Sequence, residues 1–352
     1  MQPYDTLTRL GRLHRMRQLA AAALGQFGLH EARFDLLRQA GNTLFRVYTD
    51  ELPDAAQAGD LFEPGQYLLR IHQPGYQEVE AIELELAWLA AMRREADLPV
   101  QEPIASRDGR LLPAVEVPGV PGMRHCSLLR WIKGRSVKNT FGPAHLRAQG
   151  RLLARLHNFS SGWQYPEMQC KRRFDWDGLF ADDAGSDMPN AEAWALLSPL
   201  HHQAFSFVAE RLRVVMAAWG EGSEVFGLIH GDLGVDANLL FWHGQPRAID
   251  FDDSGYGYWA FDLGVALDAC RDKPDYWQYR EALLAGYAEA RALPEKQAEQ
   301  VELFLAGLLV YWNLWATGGT HLYPNLLPEF AERMARTADF VVRYARQQGG
   351  LD

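Results

Sequence analysis

The hydrophobic positions at the start of the chain follow first a helical and then a strand period. Residues 4–28 carry apolar side chains near helical spacing, which predicts an amphipathic helix. Residues 31–50 alternate apolar and charged side chains around a turn at Gly41-Asn42, and residues 67–71 form another strand-like run. We therefore expect a hairpin and a third strand in the N-terminal part of the chain.

The pattern then becomes mostly helical. Residues 77–95 carry an apolar stripe at helical spacing, and strand-like segments follow it up to Trp131-Ile132. From about residue 144 the spacing predicts helices over 144–158, 191–218, 257–271, 276–290, 294–316 and 327–347. The stretch 181–190 is rich in Asp, Gly, Ser, Asn and Pro, and we expect a polar loop there.

This change of pattern predicts an α+β protein with two lobes. A smaller, sheet-rich N-terminal lobe takes residues 1–127, residues 128–134 connect the lobes, and a larger helical lobe takes residues 135–352. The sequence contains no internal repeat and no low-complexity tract. A cleft between two such lobes is a natural place for a nucleotide.

The length and charge of the chain narrow the class of function. With 352 residues, the chain can bury a large core in one or two domains. Its formal net charge of -10 argues against a general nucleic-acid binder, because such proteins carry a basic face. The negative charge is compatible with a cationic or neutral small substrate. Net charge, however, mainly determines solubility. The sequence leaves open whether the protein is a monomer or a homodimer.

Cysteine usage and hydropathy favour a cytoplasmic protein. Cys126, Cys170 and Cys270 lie far apart, and no CxxC or Cys/His metal spacing occurs, so we expect reduced cysteines that serve packing. The N-terminus lacks a cationic segment followed by a long apolar core. No uncharged apolar stretch reaches the roughly 18 residues that span a membrane. We therefore expect neither secretion nor a membrane partner.

Two acidic motifs, each after a short apolar approach, carry the candidate chemistry. His230-Gly231-Asp232 ends the run 225–229, and Ile249-Asp250-Phe251 follows a strand-like segment and a turn at 243–246. Phosphoryl transfer needs an acid that orients and deprotonates the attacking hydroxyl, with an amide and a second acid that hold magnesium. We interpret Asp232 as the catalytic residue, and the alternative is a turn or capping Asp.

Asn238 is the candidate amide ligand of magnesium, because hard cations take oxygen ligands. Five residues separate it from Asp232, whereas four separate the Asp and Asn of kinase catalytic loops. Either the loop bulges by one residue or Asp236 takes part of the ligand role, and we prefer a solvated loop acid for Asp236. Asp262, near the start of a predicted helix, either caps that helix or braces the catalytic loop.

Asp250 is interpreted as the second metal ligand, since its position corresponds to the metal-binding Asp of a kinase Asp-Phe-Gly element. Asp252 and Asp253 follow directly. Carboxylates this close repel one another unless a cation or hydrogen-bond donors compensate. Asp252 stays open between a ligand and a turn residue, and Asp253 is expected to be a loop or cap residue.

The N-terminal half supplies candidates for the nucleotide. The backbone N–H groups of Gly41-Asn42-Thr43 can fold over phosphates, although a plain hairpin turn has the same sequence features. Arg70 on the third strand is a candidate cationic phosphate ligand, and Glu85 on the next helix can pair with it. Aromatic residues in 174–180 either line an acceptor pocket or serve packing, and packing is the preferred interpretation.

These motifs resemble the aminoglycoside phosphotransferase and choline kinase-like superfamily. LIHGDLGVDANLLF (228–241) and AIDFDDSGYGYWAFDLGVAL (248–267) are the most specific segments. The segments GNTLFRV (41–47), YLLRIH (67–72), ELAWLAAM (85–92), LLRWIKGR (128–135) and LLARLHNFS (152–160) extend the resemblance over most of the chain. The chain is most similar to the branch that contains homoserine kinase type II and stress-response kinase A.

The resemblance implies a bilobal protein-kinase-like fold that transfers the γ-phosphoryl group of ATP or GTP to a hydroxyl with Mg²⁺. It implies a catalytic residue at Asp232 and metal ligands at Asn238 and Asp250. The nucleotide residues implied by it are Gly41, Asn42, Thr43, Arg70, Glu85, Leu129 and Trp131, the last two in the adenine-facing connection 128–131. Arg70 stands where many kinases have Lys, and the two are not interchangeable as phosphate ligands.

The sequence therefore predicts an ATP-dependent phosphotransferase. Its acceptor is a hydroxyl of a small molecule, such as an aminoglycoside, homoserine or a choline-like compound, or a protein Ser/Thr. The alternative is a catalytically silent nucleotide-binding regulator of the same fold. The extra residue between Asp232 and Asn238 is the sequence feature that favours this alternative. Metal-dependent hydrolysis without a nucleotide leaves the features of the N-terminal half unexplained.

Overall fold

The computed structural model describes residues 3–51, 59–165, 171–182, 188–322 and 328–351. The helices are α1 (Arg9–Gln26), α2 (Val79–Ala96), α3 (Pro143–Ser160), α4 (Trp176–Phe180), α5 (Asn190–Ala195), α6 (Pro199–Trp219), α7 (Trp259–Asp268), α8 (Tyr276–Ala288), α9 (Glu295–Ala298), α10 (Val301–Leu322) and α11 (Pro328–Gln347). The strands are β1 (Arg33–Ala40), β2 (Asn42–Tyr48), β3 (Phe62–Ile71), β4 (Pro103–Ile104), β5 (Ala114–Val115), β6 (Arg124–Ile132), β7 (Arg173–Phe174), β8 (Phe226–Ile229), β9 (Leu239–Trp242), β10 (Gln245–Ala248) and β11 (Gly255–Tyr258). This mixture of helices and mainly antiparallel strands confirms the predicted α+β class.

Contacts divide the chain into two units. The first takes Met1–Arg135, Tyr165–Cys170 and Leu240–Asp252, and the second takes Ser136–Gln164, Lys171–Leu239 and Asp253–Asp352. Within the first unit, short β-bridges join the segment Leu240–Asp252 to the rest, Ala248 to Val100 and Phe241 to Arg135. The lobe bounds predicted from the sequence, 1–127, 128–134 and 135–352, stay a prediction.

The first unit is built on an antiparallel sheet in which β1, β2, β3, β6 and β4 lie side by side, with β5 paired to β6. Residues that face each other on paired strands share one face of a sheet. Phe45, Leu69 and Leu128 therefore share a face, and they pack with Leu19 and Leu24 of α1 in one buried cluster. The amphipathic N-terminal helix predicted from the sequence thus covers one face of this sheet.

The second unit is mainly helical, and two glycines set how closely its helices approach. A Cβ at Gly150 of α3 would collide with the carbonyl oxygen of Leu283, and a Cβ at Gly286 of α8 would collide with that of Arg147. The backbones of α3 and α8 are therefore in direct contact. Such a crossing has no room for any larger side chain.

Three predicted helices differ from the observed elements, and one of them, 294–316, is divided by a turn at 299–300 into α9 and α10. Residues 191–218 are not continuous, because α5 ends at Ala195 and α6 begins at Pro199. Proline favours the first position of a helix, and Ser198 caps the new helix by accepting from the N–H of His201 at 3.2 Å. The start of the predicted helix 257–271 is wrong, since Gly257 and Tyr258 lie in β11, which pairs with β8.

The predicted cysteines and polar loop are only partly described. Cys126 and Cys270 are free and buried, as expected, and burial raises the pKa of each thiol to about 12. Cys170 and residues 183–187 of the predicted polar loop lie outside the described residues.

One helical stretch in the described part of the chain, Glu295–Gly318, is long and apolar enough to cross a membrane by length and composition. However, 72% of its most apolar window is buried inside the fold. The apolar character of this stretch is therefore accounted for by core packing.

The α3–α8 crossing generates a stability prediction. Gly286→Ala should lower the urea midpoint of unfolding, by an amount equivalent to about 1–3 kcal/mol, because the new methyl group has to displace the Arg147 carbonyl. The matched control is Gly25→Ala in α1, where an added Cβ meets its nearest neighbour, His30, at 3.6 Å. The control should be neutral or stabilising by up to about 1 kcal/mol, because Ala favours helices over Gly. Equal effects of the two substitutions would contradict the close crossing.

Candidate active site

The loop that follows β8 is anchored by a buried carboxylate. Asp262, in the first turn of α7, accepts hydrogen bonds from the backbone N–H of His230 at 3.0 Å and of Gly231 at 2.8 Å. It also accepts a hydrogen bond from Nε2 of His157 at 3.0 Å. Both side chains are 0% exposed. Of the two roles considered for Asp262, the structure shows the bracing role, because the carboxylate fixes the backbone directly before Asp232.

The protonation states of this anchor follow from its surroundings. Burial alone would raise the pKa of Asp262, but hydrogen bonding to His157 and Gly231 and the nearby imidazoles outweigh it and hold the pKa below its usual value. Burial lowers the pKa of His157 despite the neighbouring carboxylate. We therefore assign an ionised Asp262 and a neutral imidazole whose Nε2–H donates to it. The Nδ1 atom then accepts from the hydroxyl of Tyr287 at 2.8 Å.

Asp232 and Asn238 are in direct contact in spite of their irregular spacing. Nδ2 of Asn238 donates to Oδ2 of Asp232 at 2.8 Å and to its carbonyl oxygen at 3.0 Å. The loop absorbs its extra residue in two tight turns, with Gly234 N–H bonded to the Asp232 carbonyl and Ala237 N–H bonded to the Gly234 carbonyl, both at 3.2 Å. Both donor hydrogens of the Asn238 amide are engaged by Asp232, so the amide oxygen is the atom that suits a cation.

The backbone on both sides of Asp232 is also constrained. Gly231 has φ 79°, and a Cβ there would lie 2.8 Å from the carbonyl oxygen of Asp253 and 2.8 Å from the ring of Phe174. Glycine is therefore required both by conformation and by space. On the other side, the buried side chain of Gln149 donates to the carbonyl of Leu233 at 2.6 Å.

The second acidic motif follows the β9–β10 hairpin. The hairpin turns at His243 and Gly244 with φ 49° and 75°, as type I′ turns do. Asp250 itself has φ 65°, a conformation that Asp tolerates better than most residues. Its N–H donates to Oε1 of Gln101 at 3.0 Å. The left-handed backbone and this hydrogen bond together fix where the Asp250 carboxylate lies.

Arg70 connects that carboxylate to α2. Its Nη1 donates to Oε1 of Glu85 at 2.9 Å, and its Nη2 donates to Oδ1 of Asp250 at 3.2 Å. Arg70 is 1% exposed and Glu85 is 0% exposed. Burial opposes the charge of Arg70, but Glu85, Asp252 and Asp250 outweigh it, and the pKa of Arg70 lies above its usual value. The structure therefore brings together three residues that the sequence predicted for one site.

Asp252 gives this site a second carboxylate. Burial and the adjacent Asp252 raise the pKa of Asp250 to about 7, although Arg70 acts in the opposite direction. Burial and the adjacent carboxylate thus disfavour the charged form of Asp250, and a divalent cation would offset both effects. Among the described residues, no three His, Cys, Asp or Glu side chains form a metal cluster. Mg²⁺ keeps several waters and binds substrate phosphates, so it needs only one or two carboxylates from the protein.

Asn42 is engaged by its side chain. Its Oδ1 accepts from the N–H of Gln73 at 3.0 Å, and its Nδ2 donates to Oδ2 of Asp252 at 3.4 Å. Gln77 also donates to the carbonyl oxygen of Asp252. Gly41 forms the β1–β2 turn with φ 65°, and Thr43 is buried. The predicted nucleotide loop is therefore a tight hairpin whose Asn42 holds the acidic segment, a contact that the sequence analysis missed.

Leu129 and Trp131 lie within β6, which ends at Ile132, so the predicted connection 128–134 starts inside the sheet. Leu129 is fully buried and pairs with Leu68. The face that Leu129 shares with Leu68 and Arg70 is the one turned away from α1, and Leu68 and Trp131 are only partly buried on it. This half-open apolar face suits a nucleobase. Nothing observed assigns the roles of these residues, which stay predictions.

The second unit holds a charged pair, Arg172 and Asp253, beside the loop that follows β8, and the sequence had not indicated it. Arg172 donates to Oδ1 of Asp253 at 3.1 Å and also to the hydroxyl of Tyr311. Its guanidinium lies 4.7 Å from the ring centre of Phe174. The aromatic stretch 174–180 is largely buried, with Phe174 3% exposed, which agrees with packing as its main role. In the sequence, the position of Asp253 next to the predicted metal-binding motif was the one feature that could have indicated this pair.

The buried imidazole generates a pH prediction. The pKa of His157 is lower in the folded protein than the ordinary value of about 6.5, so the unfolded chain takes up a proton first as the pH falls. The stabilisation is present above about pH 6.5 and is lost as the pH falls towards the folded pKa, with a slope of up to about 1.4 kcal/mol per pH unit. His157→Gln should reduce the slope of unfolding free energy against pH below about pH 6.5.

The control for this measurement is His14→Gln, at an exposed position of α1. Urea unfolding at a series of pH values gives the slope for the wild type and for each variant. A slope that falls as much in His14→Gln as in His157→Gln would show that the anchor does not contribute this pH dependence.

Comparisons with known proteins agree with this arrangement. A homoserine kinase from Phenylobacterium zucineum (strain HLK1) is 27% identical over 74% of this chain and 76% of its own length. The structure of a microcompartment-associated aminopropanol kinase superposes with a TM-score of 0.71 at 25% identity, covering 96% of this chain and 99% of that one. An amicoumacin kinase solved in complex with AMP-PNP, Ca²⁺ and Ami has the same TM-score at 17% identity, over 94% and 93% of the two chains, and shows the fold alone.

These likenesses confirm the predicted protein-kinase-like fold and the predicted resemblance to this superfamily. The model of the phosphotransferase enzyme family matches residues 61–298, which is more than half of the chain and contains Arg70, Asp232 and Asp250. The chain belongs to the phosphotransferase enzyme family, whose members transfer phosphoryl groups to hydroxyls.

Proposed function

We propose that this protein transfers the γ-phosphoryl group of ATP to a hydroxyl of a small molecule. The observation that carries the proposal is the hydrogen bond between Asn238 and the Asp232 carboxylate, in a loop anchored by Asp262. The irregular spacing of Asp232 and Asn238 was the one sequence feature that favoured a catalytically silent regulator. Because the two side chains nevertheless form a hydrogen bond of 2.8 Å, the irregular spacing no longer favours the regulator.

Asp232 is the proposed catalytic residue. The Asn238 amide holds its Oδ2, and Asp262 holds the backbone before it, so the carboxylate is fixed before an acceptor arrives. A fixed carboxylate can orient an attacking hydroxyl and take its proton, which contributes about 10²–10⁴-fold to such reactions. Partial exposure leaves the side chain within reach of a substrate.

Asp250 and Asn238 are the residues that would hold Mg²⁺, which neutralises phosphate charge when it is bound. Burial and the neighbouring Asp252 raise the pKa of Asp250 in spite of Arg70, and this supports the assignment. Arg70 is the proposed phosphate contact, and its bonds to Glu85 and Asp250 hold the guanidinium in place. GTP remains an alternative donor to ATP.

The acceptor is proposed to be a small alcohol that also carries an amino group. Relatives named for homoserine and for aminopropanol, both of which are amino alcohols, support this class. A Ser or Thr side chain of a protein is the competing acceptor.

The central prediction is loss of transfer in Asp232→Asn. The amide keeps the shape of the side chain but cannot accept the proton, so kcat should fall by roughly 10²-fold or more, while binding of ATP with Mg²⁺ is retained. The matched control is Asp236→Asn, in the same loop. This control should keep most of the activity. Loss of activity in Asp236→Asn but not in Asp232→Asn would contradict the proposed role of Asp232.

The acceptor is found with a panel of hydroxyl compounds assayed with ATP or GTP, with and without Mg²⁺. The panel should contain homoserine, 1-amino-2-propanol, ethanolamine, choline, aminoglycosides and a Ser/Thr peptide mixture. We expect metal-dependent transfer to an amino alcohol. Stabilisation by ATP with Mg²⁺ but transfer to none of these acceptors would instead favour the silent regulator.

A further inference from the structure

A cavity of about 550 Å³ lies in the first unit, and Gly41 and Thr43 of the predicted nucleotide loop form part of its wall. Its walls come from the first turns of α1, the β1–β2 turn and the ends of β3 and β6. Lining residues include Tyr4, Arg9, Arg12, Gln39, Thr43 and Arg124. The proposed function uses none of the three arginines.

The sheet separates this cavity from the face that carries Arg70, the proposed phosphate contact. Thr43 pairs with Gln39 and with Ile71, so these residues share one face. Ile71 belongs to the buried cluster that packs on α1. Arg70 is the neighbour of Ile71 in β3, and successive side chains of a strand point to opposite faces. The cavity therefore opens on the α1 side, opposite to the Arg70 side chain.

Among the described residues that line the cavity, the charged ones are all arginines and none is acidic. Among the described residues, Arg9, Arg12 and Arg124 form no ion pair, and no side-chain hydrogen bond holds their guanidinium groups. The first turn of α1 contains no acidic residue. Cations at the N-terminal end of a helix are unfavourable because that end already carries a partial positive charge. Three unpaired arginines around one cavity are notable in a chain with a net charge of -10.

We propose that this cavity binds a small anion that carries two or more phosphate or carboxylate groups. Guanidinium groups recognise both kinds of oxygen anion through paired N–H donors. The hydroxyl groups of Tyr4 and Thr43 and the amide of Gln39 add neutral hydrogen-bonding groups around the arginines. The cavity volume is in the range of small-molecule sites, which is larger than a single inorganic ion needs.

Isothermal titration calorimetry with pyrophosphate and with citrate tests the proposal on the full chain. The comparison uses the wild type, the double variant Arg12→Gln/Arg124→Gln and the control Arg15→Gln. The control removes the same charge from α1 at a position that does not line the cavity. Each titration is repeated with saturating AMP-PNP and Mg²⁺, so that binding at the proposed nucleotide face is blocked.

We expect one of the two anions to bind the wild type and Arg15→Gln alike, with or without AMP-PNP. The double variant should bind at least about tenfold more weakly, because two charge-assisted contacts are lost. The stronger of the two probes identifies phosphate or carboxylate as the natural group. Equal affinity in all three proteins, or binding that AMP-PNP abolishes, would overturn the proposal.

This result is independent of the proposed kinase activity. If AMP-PNP fails to bind, the nucleotide proposal fails, yet the difference between the double variant and Arg15→Gln still reports on the cavity. If transfer is found but neither anion binds the wild type, the cavity proposal alone fails.

Discussion

The loop that follows β8 depends on one buried carboxylate. Asp262 accepts from two consecutive backbone N–H groups and from His157, without contact to solvent. An ionised group in such a place is tolerated only when its oxygens are fully hydrogen-bonded. The dependence is mutual. The donors from the loop and from α3 keep Asp262 ionised, and the ionised Asp262 holds the loop in place. The position of Asp232 therefore depends on these hydrogen bonds.

Residue patterns could predict much of the fold because its elements are locally encoded. The helical stripe before Gln26 and the period-two pattern of β1 and β2 are properties of single segments. Boundaries that depend on partners were less accessible. Gly257 and Tyr258 read as the start of a helix, yet they pair with β8, and that pairing cannot be seen in the segment itself.

The candidate site shows the same distinction. Asp232, Asn238, Asp250, Arg70 and Glu85 were recognisable by type and order, and the structure brings Asp232 to Asn238 and Arg70 to both Glu85 and Asp250. The hydrogen bond from Asn42 to Asp252 was not recognisable, because it joins residues far apart in sequence. The same holds for the pair Arg172 and Asp253. Such contacts depend on tertiary structure, for which a single sequence gives no signal.

Arginine in place of the usual lysine follows from the same geometry. Arg70 uses one guanidinium nitrogen for Glu85 and another for Asp250, and both bonds are short enough to be hydrogen bonds. A lysine ammonium is a single point charge on a flexible stem, whereas the planar fork of arginine can keep two acids apart at a fixed separation. Because Asp250 also lies beside Asp252, this separation limits carboxylate repulsion before any cation binds. The substitution thus makes the position of Asp250 depend on α2.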